Sequence, residues 1–185
     1  AGAQDDYPTA NAHFEQSLEI FRSIGERRGV ALALDNLGVI AEYQSDFGRA
    51  MAYYEESLEL ARRIGNRRGV ATTLVNLGNV ARAQGDDAHA SDLYHQGMRD
   101  ARDIESVPTL LEALVGLAAL HSQPAVALEW LGLVINHPAA YEGTRALAGP
   151  VIERLKSSLD PETAAQCLER GKALDLQAVI AQILG

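Results

Sequence analysis

The sequence predicts an all-α fold in which antiparallel helical hairpins stack as an α-solenoid and further helices cap the C-terminal end. Two observations predict this fold. A shift of 40 residues superimposes residues 14–45 on residues 54–85, and 18 of the 32 positions are identical. Within each copy, apolar residues recur at helical spacing, and turn residues divide the copy into two helices. Each copy is therefore predicted to be one helical hairpin.

The turns of the two copies carry residues that are typical of helix ends. Gly25 and Gly65 are predicted to stop the helices before them, because glycine readily adopts the left-handed conformation that follows a helix. Asp46 and Asp86 come after the next turns, where a carboxylate can accept backbone N–H groups as an N-cap. These residues set equivalent helix boundaries in both copies.

Glycine also occupies the same interior helix position in each copy, at Gly38 and Gly78. A glycine inside a helix costs up to about 1 kcal/mol relative to alanine. The position therefore needs a packing reason, and we expect a neighbouring helix to cross close to it.

A third and more diverged copy follows, and the repeat register breaks after Leu120. The same shift carries four apolar residues onto Tyr94, Ile104, Leu114 and Leu117. The predicted organisation is a solenoid domain at 1–135, with a partial repeat at 1–25 and repeats at about 26–64, 66–104 and 107–135, followed by capping helices at 136–185.

Residues 136–185 do not follow the repeat and are predicted to form three closing helices. Asp160 and Asp175 are typical of N-caps, and Gly171 is typical of a helix stop. The glycine–proline pair at 149–150 is expected to kink or split the first of these helices.

Composition narrows the classes of function. The net charge of -9 argues against a nucleic-acid binder, which usually presents a basic face. The single cysteine, Cys167, has no partner for an internal disulfide or a zinc site, so a structural role in the reducing cytoplasm is expected. The sequence shows no membrane span, signal pattern, nucleotide-binding loop or metalloprotease motif. The chain is therefore predicted to be non-catalytic, to bind no cofactor or metal ion, and not to associate with a membrane.

The spaced residues of the copies resemble the tetratricopeptide repeat in its form of roughly forty residues. The resemblance implies a right-handed α-solenoid and a non-catalytic scaffold that binds a protein or peptide. The matching positions are Leu34, Leu37, Gly38, Ala41, Leu74, Leu77, Gly78 and Ala81 on the first helices, and Ala50, Tyr54, Ser57, Ala90 and Tyr94 on the second helices.

The resemblance also implies a concave groove lined by the first helix of each repeat. In the family an Asn before the Leu-Gly pair often bonds the backbone of an extended peptide, and Asn36 and Asn76 occupy that position. An amide suits this contact because it offers both a donor and an acceptor. These amides could instead only bridge neighbouring helices, and the third repeat has Gly116 there. Helix phase predicts that Asp35, Val39, Thr72, Val75, Asn79 and Arg82 share the groove wall.

Four arginines form a second repeated feature, directly after the glycines that end the preceding helices. They are Arg27, Arg28, Arg67 and Arg68. A row of arginines could bind phosphate or carboxylate. Cations near a helix C-terminus also complement the helix dipole by roughly a few tenths of a kcal/mol, which explains them without a ligand.

The first residues indicate a chain that opens inside a repeat. The shift sets residues 1–7 opposite 41–47, the end of a first helix, so we expect a segment excised from a longer solenoid. The next helix, from about residue 7 to residue 24, is expected to lack its hairpin partner, and a homodimer through its uncovered apolar face is predicted. That face carries Phe14, Leu18, Phe21 and Ile24.

The C-terminal region resembles the end of large bacterial signalling proteins in which a STAND-type ATPase precedes such repeats. Some of these proteins also carry a LuxR-type or SARP-type DNA-binding domain or a nucleotide cyclase. The resemblance depends on residues 136–139 and 171–176 and implies a sensor and oligomerisation role in a cytoplasmic regulator. Two alternatives remain for the chain, a self-association module and a small-molecule sensor with a closed apolar pocket.

Overall fold

The computed structural model describes residues 7–185, and this range contains ten helices and no strand. The predicted all-α fold of helical hairpins is therefore confirmed. The expectation that the chain opens at the end of a first helix falls on residues 1–6, which lie outside the described residues. The chain divides into two compact units, Ala1–Ala90 and Ser91–Gly185.

In the first unit, short turns connect four helices, and each helix packs against the next along the chain. Helices α2 and α3 form the hairpin that the first repeat predicts, and α4 opens the second repeat. The bounds are α1 Tyr7–Ser23, α2 Arg27–Tyr43, α3 Phe47–Arg63 and α4 Arg67–Ala83.

Backbone geometry confirms the helix ends that the sequence predicts. Gly25 and Gly65 have φ angles of +71° and +68°, in the left-handed region that glycine enters without strain. The carboxylates of Asp46 and Asp86 each accept a backbone N–H from three residues further on, at 3.1 Å. The chain therefore reverses at equivalent points in the two copies.

The close helix crossing predicted at Gly38 is also confirmed. A Cβ atom at this position would lie 2.4 Å from Cε1 of the Tyr54 ring on α3. Non-bonded carbon atoms normally stay roughly 3.5–4.0 Å apart, so no side chain fits. Tyr54 is completely buried, and its hydroxyl donates to the Glu42 carboxylate at 3.2 Å. The missing side chain at Gly38 is what lets α2 and α3 approach this closely.

Much of the apolar face of α1 is covered by α2, which corrects the expectation that this face is uncovered. The expectation of a missing hairpin partner before α1 concerns a part of the chain outside the described residues. Leu18 is buried in a cluster formed mainly by residues of α2, and Phe14 and Phe21 pack against the same cluster. Two large apolar side chains of this segment stay in solvent, Ile20 at 51% exposure and Ile24 at 66%. Only Ile24 of the four predicted residues therefore remains uncovered.

In the second unit, helices α6–α9 pack closely on one another, with α8 lying against both α6 and α7. The three closing helices predicted for the C-terminal region are α8, α9 and α10. The bounds are α5 Asp87–Asp103, α6 Val107–Leu120, α7 Pro124–Asn136, α8 Glu142–Lys156, α9 Pro161–Gly171 and α10 Leu176–Leu184, with α5 beginning in the last residues of the first unit.

The closing helices follow the predicted end signals. Asp160 and Asp175 accept backbone N–H groups at 2.9 and 2.8 Å as N-caps, and Gly171 is the last residue of α9. Helix α8 continues through Pro150, so of the two expected effects, a kink or a split, the split does not occur.

Helices α7 and α9 cross through two facing glycines. A Cβ atom at Gly132 would lie 2.3 Å from the carbonyl oxygen of Leu168, and one at Gly171 would lie 2.1 Å from that of Glu129. Both contacts are with backbone, which a side-chain rotation cannot relieve. Helix α9 is therefore packed directly onto α7.

Candidate functional site

All eight residues predicted for the groove lie on α2 and α4, which are in contact. Seven of them are partly exposed, as a binding surface requires. Val75 differs, because only 1% of its side chain is exposed, so it supports the face from behind. The partly exposed residues are Asp35, Asn36, Val39, Thr72, Asn76, Asn79 and Arg82.

The two repeat-equivalent asparagines, Asn36 and Asn76, differ in their hydrogen bonding. Asn36 Nδ2 donates to the carbonyl oxygen of Leu32 on its own helix at 2.8 Å. Its amide oxygen remains available to accept a hydrogen bond from a ligand. Asn76 forms no side-chain hydrogen bond with any residue from 7 to 185, so its donor and its acceptor are both free. Neither amide bridges to a neighbouring helix within that range.

One hydrogen bond ties α2 to α4 behind this face. The hydroxyl of Thr73, itself buried, donates to Oδ1 of Asp35 at 2.8 Å. A hydrogen bond to a charged group contributes roughly 1.5–3 kcal/mol when it is shielded from water. The bond fixes the relative position of the helices that carry the two asparagines.

A second polar group lies deeper, where α2, α3 and α4 meet. Burial raises the pKa of Glu42, while the hydrogen bond from Tyr54 and the positive charge of Arg82 oppose that rise. Burial, followed by the negative charges of Glu42 and Asp35, raises the pKa of Tyr54. Arg82 has a buried Nε atom with no hydrogen-bond partner among the described residues. Arg82 therefore acts on Glu42 through its charge and not through a hydrogen bond from Nε.

A cavity of about 250 Å³ opens between the N-terminal halves of α2 and α4, with Ser57 of α3 on its wall. Sequence reasoning did not find this cavity. Its signal was the repeated arginine pair, of which one member from each helix reaches the cavity. The residues that line it include Arg28, Leu32, Asp35, Arg68, Thr72 and Thr73.

In the second unit, the position equivalent to Asn36 and Asn76 is Gly116, which has no room for an asparagine side chain. A Cβ atom at Gly116 would lie 2.3 Å from Cζ of the Tyr94 ring, which is completely buried. Any larger residue would collide with that ring. The pair of asparagines therefore has no third member at this repeat position.

Residues 7–185 contain no group of three or more His, Cys, Asp or Glu side chains that could hold a metal ion. Over the same range, no helix combines the length and the apolar character that crossing a membrane requires. Cys167 is a free, buried thiol. What the described face offers chemically is hydrogen bonding, charge and apolar contact.

The fold defines the class: a helical-repeat protein whose hairpins carry the candidate face on their first helices. A family model described as tetratricopeptide repeat matches residues 1–63 and 50–103, which together cover more than half of the chain. The chain belongs to the tetratricopeptide repeat family, whose members are generally non-catalytic scaffolds for protein interaction. No curated protein matches the chain.

Proposed function

We propose that the chain is a non-catalytic module that holds an extended segment of a protein or peptide on the face formed by α2 and α4. The observation that carries this proposal is the state of Asn76, which is partly exposed with its donor and acceptor free and has a repeat equivalent, Asn36, on the adjoining helix α2. A free amide can pair with both the N–H and the C=O of one peptide unit.

The surroundings of the asparagines favour binding without a large rearrangement. The hydrogen bond from Thr73 to Asp35 already fixes α2 against α4. A preorganised face loses less conformational entropy when a ligand binds. The adjoining cavity of about 250 Å³ falls below the roughly 300–1,000 Å³ of pockets that enclose a small molecule, so it suits one side chain of a larger ligand better.

The test begins with a display library of random short peptides, selected on the intact chain. Asn76→Ala should weaken binding of the selected peptides roughly two- to tenfold, because a net hydrogen bond contributes about 0.5–1.5 kcal/mol. Asn36→Ala should have the smaller effect, because its donor is already engaged. Gln16→Ala, exposed on α1, is the matched control. Equal affinity of an Asn36→Ala/Asn76→Ala variant and the parent chain, at equal thermal stability, rules the proposal out.

Self-association is the second candidate, and Ile20 and Ile24 favour it. Both side chains are exposed on the α1 segment, and burying a large apolar side chain contributes roughly 1.5–3 kcal/mol. Light scattering on the intact chain and on an Ile20→Ser/Ile24→Ser variant separates the candidates. These two residues are better targets than Phe14 and Phe21, whose replacement would disturb the α1–α2 core.

We also propose a place for the module in a bacterial cytoplasmic signalling or transcriptional regulator. The support is the C-terminal resemblance through residues 136–139 and 171–176, together with a single, unpaired cysteine. The gene that encodes the chain provides the test. An ATPase or DNA-binding domain in the same reading frame would support this context, and a secretion signal in that frame would refute it.

A further inference from the structure

We infer that the cavity between α2 and α4 receives the carboxylate side chain of an aspartate or glutamate, so that the segment held on this face is an acidic peptide. The inference rests on the proposed function and specifies the ligand of the same face. It starts from the hydrogen-bonding state of the groups around the cavity.

Most polar groups at the cavity are already satisfied. Glu26 accepts the backbone N–H groups of Arg28 and Gly29, and Asn66 accepts that of Gly69, so the first turns of α2 and α4 are capped. The hydroxyl of Ser57 donates to the carbonyl oxygen of Ala31 at 2.9 Å.

Three side chains at the cavity have no hydrogen-bond or ion-pair partner at all among residues 7–185, and all of them can donate. They are the guanidinium groups of Arg28 and Arg68 and the hydroxyl of Thr72. Other arginines of the same unit do find carboxylates, such as Arg22, 2.7 Å from Glu56. Asp35, the acidic residue in the cavity wall, already accepts from Thr73.

Two free guanidinium groups and a hydroxyl match one carboxylate. Each guanidinium is planar, stays charged at neutral pH and can give two parallel N–H bonds to carboxylate oxygens. Leu32 stands at the rim with 62% of its side chain exposed and can cover the aliphatic part of an aspartate or glutamate side chain. In a chain with a net charge of -9, this cavity is a local site that favours negative charge.

The position of the cavity fits the proposed backbone contacts. Arg28 precedes Asn36 by eight residues of the same helix, and Arg68 precedes Asn76 by the same interval. Eight residues of helix span about 12 Å at 1.5 Å per residue. An extended peptide covers that distance in roughly four residues. One ligand can therefore reach both the asparagines and the cavity.

The experiment compares the peptides that different variants select. The same library of random short peptides is selected on the intact parent chain, on Arg28→Gln/Arg68→Gln, and on Arg27→Gln/Arg62→Gln. The third protein loses the same charge from exposed positions outside the cavity. Circular dichroism confirms that all three fold.

We expect aspartate or glutamate at one fixed position in the peptides selected by the parent chain and by the Arg27/Arg62 control. The Arg28/Arg68 variant should still select peptides, without that preference. Peptides that show no acidic preference on the parent chain overturn this inference and leave the proposed function standing. Failure of the parent chain to select any peptide overturns both.

A selected peptide then identifies the interacting atoms. Changing its acidic residue to the matching amide should weaken binding to the parent chain roughly tenfold, the lower part of the range for hydrogen bonds to charged groups, since both arginines are exposed. The same change should have no effect on the Arg28→Gln/Arg68→Gln variant. All peptides carry a C-terminal amide, so a requirement for a free C-terminal carboxylate would contradict a side-chain contact.

Discussion

Replacing Gly38 with alanine is expected to destabilise the first unit. The new methyl group would lie 2.4 Å from the Tyr54 ring, more than 1 Å inside the roughly 3.5 Å at which non-bonded carbons touch. Tyr54 has little freedom to move aside, because its ring is completely buried and its hydroxyl is bonded to Glu42. Overpacking of this kind typically costs about 1–3 kcal/mol.

Alanine also favours the helix by about 1 kcal/mol relative to glycine, which offsets part of that cost. Gly48→Ala is the matched control, because it makes the same change within α3. A Cβ atom at Gly48 meets only Oδ1 of Asp46, at an ordinary 3.8 Å. The difference between the two variants removes the propensity gain and isolates the collision, for which we expect about 1–3 kcal/mol.

Urea unfolding followed by circular dichroism measures both free energies of unfolding. Gly48→Ala should be equal to or more stable than the parent chain, and Gly38→Ala should be less stable than Gly48→Ala by the amount given. Equal stabilities would refute the close crossing. A further variant, Gly38→Ala with Tyr54→Leu, should recover part of the loss if the ring is the cause, because the smaller side chain leaves room for the methyl group.

Two further predictions concern charge and the closing helices. Burial raises the pKa of Glu42 above its ordinary value of 4.5, so the stability it contributes is complete below pH 4.5 and is lost as the pH rises through the folded-state pKa. Glu42→Gln should flatten that part of the pH dependence of unfolding, and an unchanged profile would contradict it. Ending the chain at Ile135 should cause aggregation measurable by light scattering, because α7 loses the cover of α8 and α9. A monomeric product as stable as the full chain would show that the closing helices are independent.

Helix positions could be predicted from the sequence because they depend on local chemistry and repetition. Gly25 stops a helix through its own backbone geometry, and Asp46 caps one through an N–H three residues away. Gly38 is explained by a contact with another helix and not by local chemistry, yet its repetition at position 78 indicated that a helix crosses there. The sequence did not show which side chain Gly38 would meet, and only the structure identifies it as the ring of Tyr54.

The cover of α1 could not be predicted because α2 packs on both sides. Leu34 and Leu37 lie on the first helix of the hairpin with α3, in a cluster that Leu60 of α3 packs against. The same cluster also receives Phe14 and Phe21 from α1. A helix inside a stack needs two apolar faces, and a single repeat pattern does not show which neighbour each face serves.

The candidate site escaped sequence reasoning where the two copies differ. Asp35 corresponds to Val75 under the shift of 40 residues, and Thr73 corresponds to Ala33, so neither member of the bond between α2 and α4 is repeated. Comparison of the copies identifies shared positions and therefore omits such a pair. The asparagines were found for the opposite reason, since they are identical in both copies.

The same differences make the two sides of the proposed binding face chemically unlike. On α2 the exposed positions that flank Asn36 include Leu32 and Tyr43, both more than half exposed, whereas Thr72, the counterpart of Leu32 on α4, carries a hydroxyl. Apolar contact is therefore available mainly beside α2, and hydrogen bonding mainly beside α4, where Asn76 is fully free. A segment that lies across both helices would place its apolar side chains on α2 and its polar groups on α4. Reversing the segment would pair each part with the wrong surface, so we expect the proposed face to favour one orientation of a bound segment even though it is built from repeated helices.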